Sequence, residues 1–158
     1  MLIKNLDLQL DLLSQDFFVN KAPMLNEILE KDHRPYCVLL VQVKNLHFAL
    51  PLRTNLPQPE NDKICFKTIH NDKGGYKGID FTKAIIVDLH NDIMNTNIQL
   101  RDKQEFLCIQ GNVKKIIRNF KKFVERYITE MKNSPEKLSN DFQFCTLINY
   151  HSELKIKK

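Results

Sequence analysis

Arg53, Thr54 and Asn55 stand together in "HFALPLRTN", residues 47–55, where an apolar, β-rich run meets a proline and stops. A guanidinium grips oxyanions with a planar fork of N–H donors. A hydroxyl and a carboxamide beside it add directional hydrogen bonds. Such a trio suits holding and orienting an anionic group. It also suits a plain turn, in which Thr54 or Asn55 bonds nearby backbone. A second polar group follows in "GGYKGIDFTKA", residues 74–84, with Tyr76, Lys77, Asp80, Thr82 and Lys83. Taken alone, it reads as a hairpin loop running into a strand. The residue types leave both readings open.

Other chemistries lack their residues. There is no Gly-rich phosphate loop, no HExxH, no GxSxG and no carboxylate pair at ligand spacing. The histidines at 33, 47, 70, 90 and 151 show no metal spacing, and Cys37, Cys65, Cys108 and Cys145 form no CxxC pair. No metal site, cofactor or disulfide framework is expected. The thiols read as reduced and mostly buried, in a cytoplasmic protein. His70 is the histidine to watch, because it ends a strand beside the Gly-rich turn.

The elements that must position these groups follow from periodicity. The 158 residues suit one domain, residues 1–158. No stretch approaches the roughly 20 apolar residues of a membrane span. The acidic N-terminal run lacks a secretory cleavage site. "MLIKNL" predicts a short first strand, "SQDFFVN" a helical turn capped by Ser14, and "APMLNEILEKD" a short amphipathic helix with Pro23 in its first turn. Tyr36–Val43 and Leu46–Leu52 predict a hairpin closed by Lys44-Asn45, apolar on both faces and so covered on both. Pro51 cannot donate to a ladder, so the second strand should become an edge there. Residues 63–70 and 80–89 predict further strands, separated by the glycine-rich turn.

"GNVKKIIRNFKKFVERYITEMKN" predicts a long helix, starting near Asp102 with Gly111 a weak point and stopped by Pro135. Its polar side carries Lys114, Lys115, Arg118, Lys121, Lys122 and Arg126. "DFQFCTLINYHSEL" reads as a strand passing into a short helix, and the "KIKK" tail as frayed. The sum is an α+β domain. One curved, kinked, barrel-like antiparallel sheet is flanked by a short N-terminal helix and a long C-terminal basic amphipathic helix.

The net charge is +5, and residues 101–158 hold thirteen bases against seven acids. That balance permits a polyanion partner, and a solvated helix face gives the same count.

"FALPLRTN" followed by "GIDFTKA" resembles the endoribonuclease toxins of type III toxin–antitoxin systems, the ToxN/AbiQ family, and within it the TenpN-like branch. The shared pattern is FA-[LI]-P-[LF]-R-[ST]-N, then G-[IL]-D-[FY]-[ST]-K-A, and it spans about residues 34–89. The resemblance implies a toxin restrained by a small RNA antitoxin that it also processes, mRNA substrates, an RNA-bridged hetero-oligomer and a role in phage defence. It places the hydroxyl of Thr54 in the active site, flanked by Arg53 and Asn55. The ToxN branch carries a Thr-Ser pair with a lysine shortly after. Here Leu56-Pro57 follow instead, so the charge must come from Arg53 or from Lys83.

A metal-independent ribonuclease uses the substrate's own 2′-hydroxyl as nucleophile, leaving a 2′,3′-cyclic phosphate and a 5′-hydroxyl. Arg53 would grip the phosphate, Thr54 and Asn55 would fix its geometry, and Lys83 would meet the developing charge. His70 or Lys83 are the candidate bases. Tyr36 and Tyr76 are candidate stacking rings. Lys67, Lys73, Lys77, Lys114, Lys115 and Arg118 are candidate RNA contacts. A non-catalytic RNA-binding module is the competing reading.

Overall fold

The computed structural model describes residues 8–29, 36–96, 98 and 100–156. Strand β1 is Leu10–Leu12, β2 Cys37–Val43, β3 Leu46–Arg53, β4 Cys65–His70, β5 Tyr76–Asp80 and β6 Ile85–Ile86. They form a six-stranded antiparallel sheet in the order β1-β2-β3-β5-β4, with β6 also on β3. The sheet is open rather than a closed barrel. Helix α1 is Gln15–Asn20, α2 Lys103–Gln110 and α3 Val113–Asn133. The architecture is α+β, as the sequence predicts.

The β2–β3 hairpin is the centre of the core. Lys44 and Asn45 both take positive φ, 55° and 64°, the pairing a two-residue hairpin turn needs. Val38, Leu39, Leu40, Val41, Phe48, Ala49 and Leu50 are all buried, so both faces are covered. Pro51 behaves differently from expectation. It stays in register opposite Val38, and β3 runs on to Arg53. Across its other edge, β3 pairs with β6 at Phe48 and Ala49, then with β5 at Leu52 and Arg53. Pro51 falls in the gap between these partners, where a missing N–H costs no ladder bond. The partner change delivers Arg53 to the sheet's second leaf.

Arg53 pairs with Gly78 of β5, and Gly78 pairs with Lys67 of β4. Gly78 has no space for a side chain. An added Cβ would lie 2.3 Å from the Phe66 carbonyl oxygen and 2.5 Å from Leu56 Cδ1.

Several segments depart from the sequence reading. The segment after α1 makes only a 3₁₀ turn, Ala22–Met24, with Leu25 already extended and Glu27 at φ 65°, so the amphipathic helix does not form there. The predicted strand over residues 80–89 is mostly a 3₁₀ turn, Phe81–Lys83, because the Asp80 side chain caps it. After the turn, only Ile85–Ile86 pair as a strand. The long helix is split. Asp102 caps α2 by accepting from Gln104 N and Glu105 N, and the break falls at Gly111-Asn112. There Asn112 turns its amide back on the Cys108 carbonyl at 2.7 Å. The closing segment forms two 3₁₀ turns, Asn140–Phe142 and Thr146–Tyr150, rather than a strand. Ile156 is buried, so the tail is anchored up to that residue. The predicted strand at residues 1–6 lies outside the described residues.

Replacing Gly78 by alanine should destabilise the fold by roughly 1–3 kcal/mol, because the backbone of β4 must shift to admit the methyl group. Chemical denaturation of the two proteins measures this. Equal midpoints would mean that the β4–β5 spacing is not the constraint it looks.

Candidate active site

A cleft of about 160 Å³ opens where β3 and β5 end. Arg53 and Lys83 both line it, with Asp80 and Thr82 between them and Gln58, Cys65, Asn140 and Phe144 around the rim. Residues that the sequence separates by thirty positions are thus brought into one concavity.

Asp80 organises the floor. Its Oδ2 accepts from Arg53 Nη1 at 2.9 Å. Its Oδ1 accepts from Thr82 N at 2.9 Å and from Thr82 Oγ1 at 2.6 Å. The carboxylate is 5% exposed and the Arg53 side chain 24%. A buried carboxylate with every oxygen engaged fixes the guanidinium without using all of its five N–H donors. The remaining donors are available to a bound anion. Asp80 and Thr82 stand in the second sequence cluster, but side-chain type alone gave no role to the carboxylate.

Lys83 is also held in place. Nζ donates to the Glu27 carbonyl at 2.8 Å and the Phe144 carbonyl at 2.9 Å, with the Glu27 carboxylate 3.8 Å away. It joins the N-terminal loop to the closing segment. Its ammonium has three hydrogens, so one remains beyond these two bonds.

Thr54 and Asn55 take a different place. Both are exposed, and neither lines the cleft. Asn71 Nδ2 donates to the Thr54 carbonyl at 3.0 Å and to Asn55 Oδ1 at 3.3 Å. A Cβ on Gly75 would lie 2.8 Å from Asn55 Oδ1, so a side chain there would push the Asn55 amide aside. The chain thus gathers Arg53 with Lys83, and Thr54 with Asn55, on adjoining surfaces.

The proposed RNA contacts divide similarly. Tyr76 has His70 against its ring at 4.2 Å and Lys67 Nζ 4.7 Å from its centroid. Lys77 pairs with Asp102 at 3.5 Å. Lys73, Lys114, Lys115 and Arg118 are exposed, the last three lining a shallow depression at the α2–α3 break. Tyr36 is a correction. It is 4% exposed and packs edge-on against Phe18, so its ring is core and presents no face to a base. Arg126 also leaves the solvated face of α3: it binds Asp141 at 2.8 Å and sits 4.9 Å over the Phe142 ring.

Cys65 borders the cleft but is no nucleophile. Burial, and then the nearby Asp80 carboxylate, push its thiol up to about 12. Burial does the same to Cys145, also to about 12. Cys65, Cys108 and Cys145 form no disulfide. Among the described residues no group of three or more His, Cys, Asp or Glu is arranged to hold a metal ion, and no helix is long and apolar enough to cross a membrane.

No protein-family model and no curated protein matches the chain. Solved structures do. One is AbiQ, a lactococcal anti-phage endoribonuclease belonging to the type III toxin–antitoxin system. It shares 10% identity at a TM-score of 0.57, over 94% of this chain and 96% of that one. Another comes from bacterial type III toxin–antitoxin systems with selective toxin inhibition by a non-coding RNA pseudoknot. It shares 13% identity at a TM-score of 0.53, over 95% of this chain and 99% of that one. The likeness is one of fold, and it runs nearly end to end.

With thiols titrating near 12, roughly one Cys65 or Cys145 in ten thousand is ionised at pH 8. Iodoacetamide at that pH should leave both unmodified in the folded protein and alkylate both in denaturant, as read by peptide mass spectrometry. Rapid native labelling of Cys65 would show an accessible thiolate and overturn this assignment.

Proposed function

We propose that this chain is an endoribonuclease toxin of a type III toxin–antitoxin system, cutting mRNA and its own antitoxin precursor and serving in phage defence. One observation carries the reading. Arg53, from the first motif, and Asp80 and Lys83, from the second, form one cleft, within a fold shared along its length with an anti-phage endoribonuclease.

The chemistry combines these side chains with Thr54, Asn55 and a base beside the cleft. Asp80 holds Arg53 so that its outward N–H donors meet two oxygens of the scissile phosphate. The 2′-hydroxyl gives up its proton to a base as it attacks that phosphorus, the P–O5′ bond breaks, and the departing 5′-oxygen takes up a proton, so a 2′,3′-cyclic phosphate and a 5′-hydroxyl remain. The remaining N–H of Lys83, fixed by two carbonyls, stabilises charge on the phosphorane oxygens. Thr54, exposed beside Arg53, orients the sugar or phosphate, and Asn55 holds that loop through Asn71. Lys83 is committed as a donor, which leaves His70, exposed at the end of β4, as the better of the two candidate bases. An RNA antitoxin filling the same cleft would exclude substrate. Lys114, Lys115 and Arg118 would add salt-dependent phosphate contacts. The site and its RNA partner both belong in the cytoplasm.

Wild-type protein with a mixed RNA pool in excess chelator should give discrete cuts with 5′-hydroxyl and cyclic-phosphate ends. Arg53→Ala should slow cleavage about 10²–10³-fold and lower the melting temperature while the protein stays folded, because it strips Asp80 of its partner. Thr54→Ala should abolish or strongly reduce cleavage with unchanged circular dichroism. Intact RNA that is still bound in a salt-dependent way would replace this proposal with a non-catalytic RNA-binding module.

A further inference from the structure

The closing segment puts an aromatic ring at the rim of the cleft. Phe144 is 65% exposed, while Phe142, Cys145, Thr146 and Leu147 around it are 2% exposed or less. Its backbone is tied down on its C-terminal side. The Phe144 carbonyl accepts from Lys83 Nζ at 2.9 Å, and Thr146 Oγ1 donates to the Thr82 carbonyl at 3.1 Å. A rigid backbone therefore holds a large apolar side chain out into solvent, beside Arg53 and Lys83. Exposed apolar side chains are common, and Val19, Met24 and Leu107 are similarly exposed; Phe144 differs from them in lining the cleft.

The cleft measures about 160 Å³, close to the volume that accepts a single planar ring. Two carboxamides lie at its rim, Gln58 and Asn140. Both are exposed, and neither amide makes a side-chain hydrogen bond among the described residues. Asp141 is different, since Asn61 and Arg126 occupy its two oxygens. A carboxamide offers a donor and an acceptor together, the pattern that pairs with a nucleobase edge.

We infer that Phe144 is the stacking platform for one unpaired nucleobase next to the scissile phosphate, with Gln58 and Asn140 reading that base's hydrogen-bonding edge. This rests on the RNA-cleaving reading above. It makes Phe144 a specificity-determining residue. The ring selects a splayed, single-stranded base over a stacked duplex one, and the two amides select among bases.

The chain contains no tryptophan, so Phe144→Trp introduces a lone indole at the platform, excited selectively over the tyrosines. The probes are 2′-O-methylated oligonucleotides of each single base, which bind without being cut. One of the four should quench the indole more strongly than the others, and the preference should weaken when Gln58→Ala and Asn140→Ala are added. Phe144→Ala should lower affinity for the preferred oligonucleotide about 10- to 100-fold, and Phe144→Leu should not restore it. In cleavage, Phe144→Ala should blur the base preference around the cut.

Binding by Phe144→Ala within about twofold of wild type, or no quenching by any bound oligonucleotide, overturns the platform even if the protein cuts RNA. Quenching and weakened binding in a protein that cuts nothing would uphold the platform while removing the nuclease.

Discussion

The carboxylate of Asp80 is the constraint on which the cleft depends. It lies where the β4–β5 ladder ends, paired with Cys65, and it is buried. A lone buried carboxylate is costly, and here Arg53 and the Thr82 amide and hydroxyl remove that cost. Each bond also has a geometric effect. The bond to Arg53 aims the guanidinium. The bonds to Thr82 end the strand and wind residues 81–83 into the turn that carries Lys83. Removing one member of such a buried pair typically costs about 3–5 kcal/mol, so the arrangement is held firmly. "GIDFTK" therefore acts as one device: glycine for close strand approach, aspartate as anchor and cap, threonine to satisfy it, lysine to project.

A second set of ties closes the molecule around that device. Lys83 joins the loop at Glu27 to the segment at Phe144. Asn149 exchanges hydrogen bonds with the backbone of Asn26. Thr146, fully buried, donates to the carbonyls of Thr82 and Ala84. Arg126 holds Asp141 against α3, and Tyr127 meets His151 at 2.7 Å. The wall of the cleft is thus sewn to the core by polar contacts between distant parts of the chain, over an aromatic base of Phe81, Phe120, Phe123 and Phe142.

Local pattern carried much of this into the sequence. The hairpin was legible because Lys44-Asn45 tolerates positive φ between two apolar runs. Ser14 was legible as a cap, Asp102 as a helix start, and the amphipathic stripe of α3 by its period. The pairing of Arg53 with Lys83 was reached through motif resemblance. Features set by long-range contacts were not legible. Pro51 looks like a strand end until its neighbours are known to change partners around it. The Asp80 cap reads as strand because its Thr82 bonds compete with a β pattern. Tyr36 has the composition of a stacking ring and the burial of a core residue. Phe144 sits in a segment whose apolar spacing does not distinguish strand from consecutive 3₁₀ turns.

The polarity of the chain gives the cleft a timetable. Its floor, from Arg53 to Lys83, is made long before its outer wall at Asn140, Asp141 and Phe144. A nascent chain emerging from the ribosome can form the β2–β3 hairpin early. It cannot yet fix Lys83 through the Phe144 carbonyl or cover the turn with Thr146. The complete cleft comes into being only once the closing segment has left the exit tunnel, so a half-made copy tethered to its own message lacks the finished site.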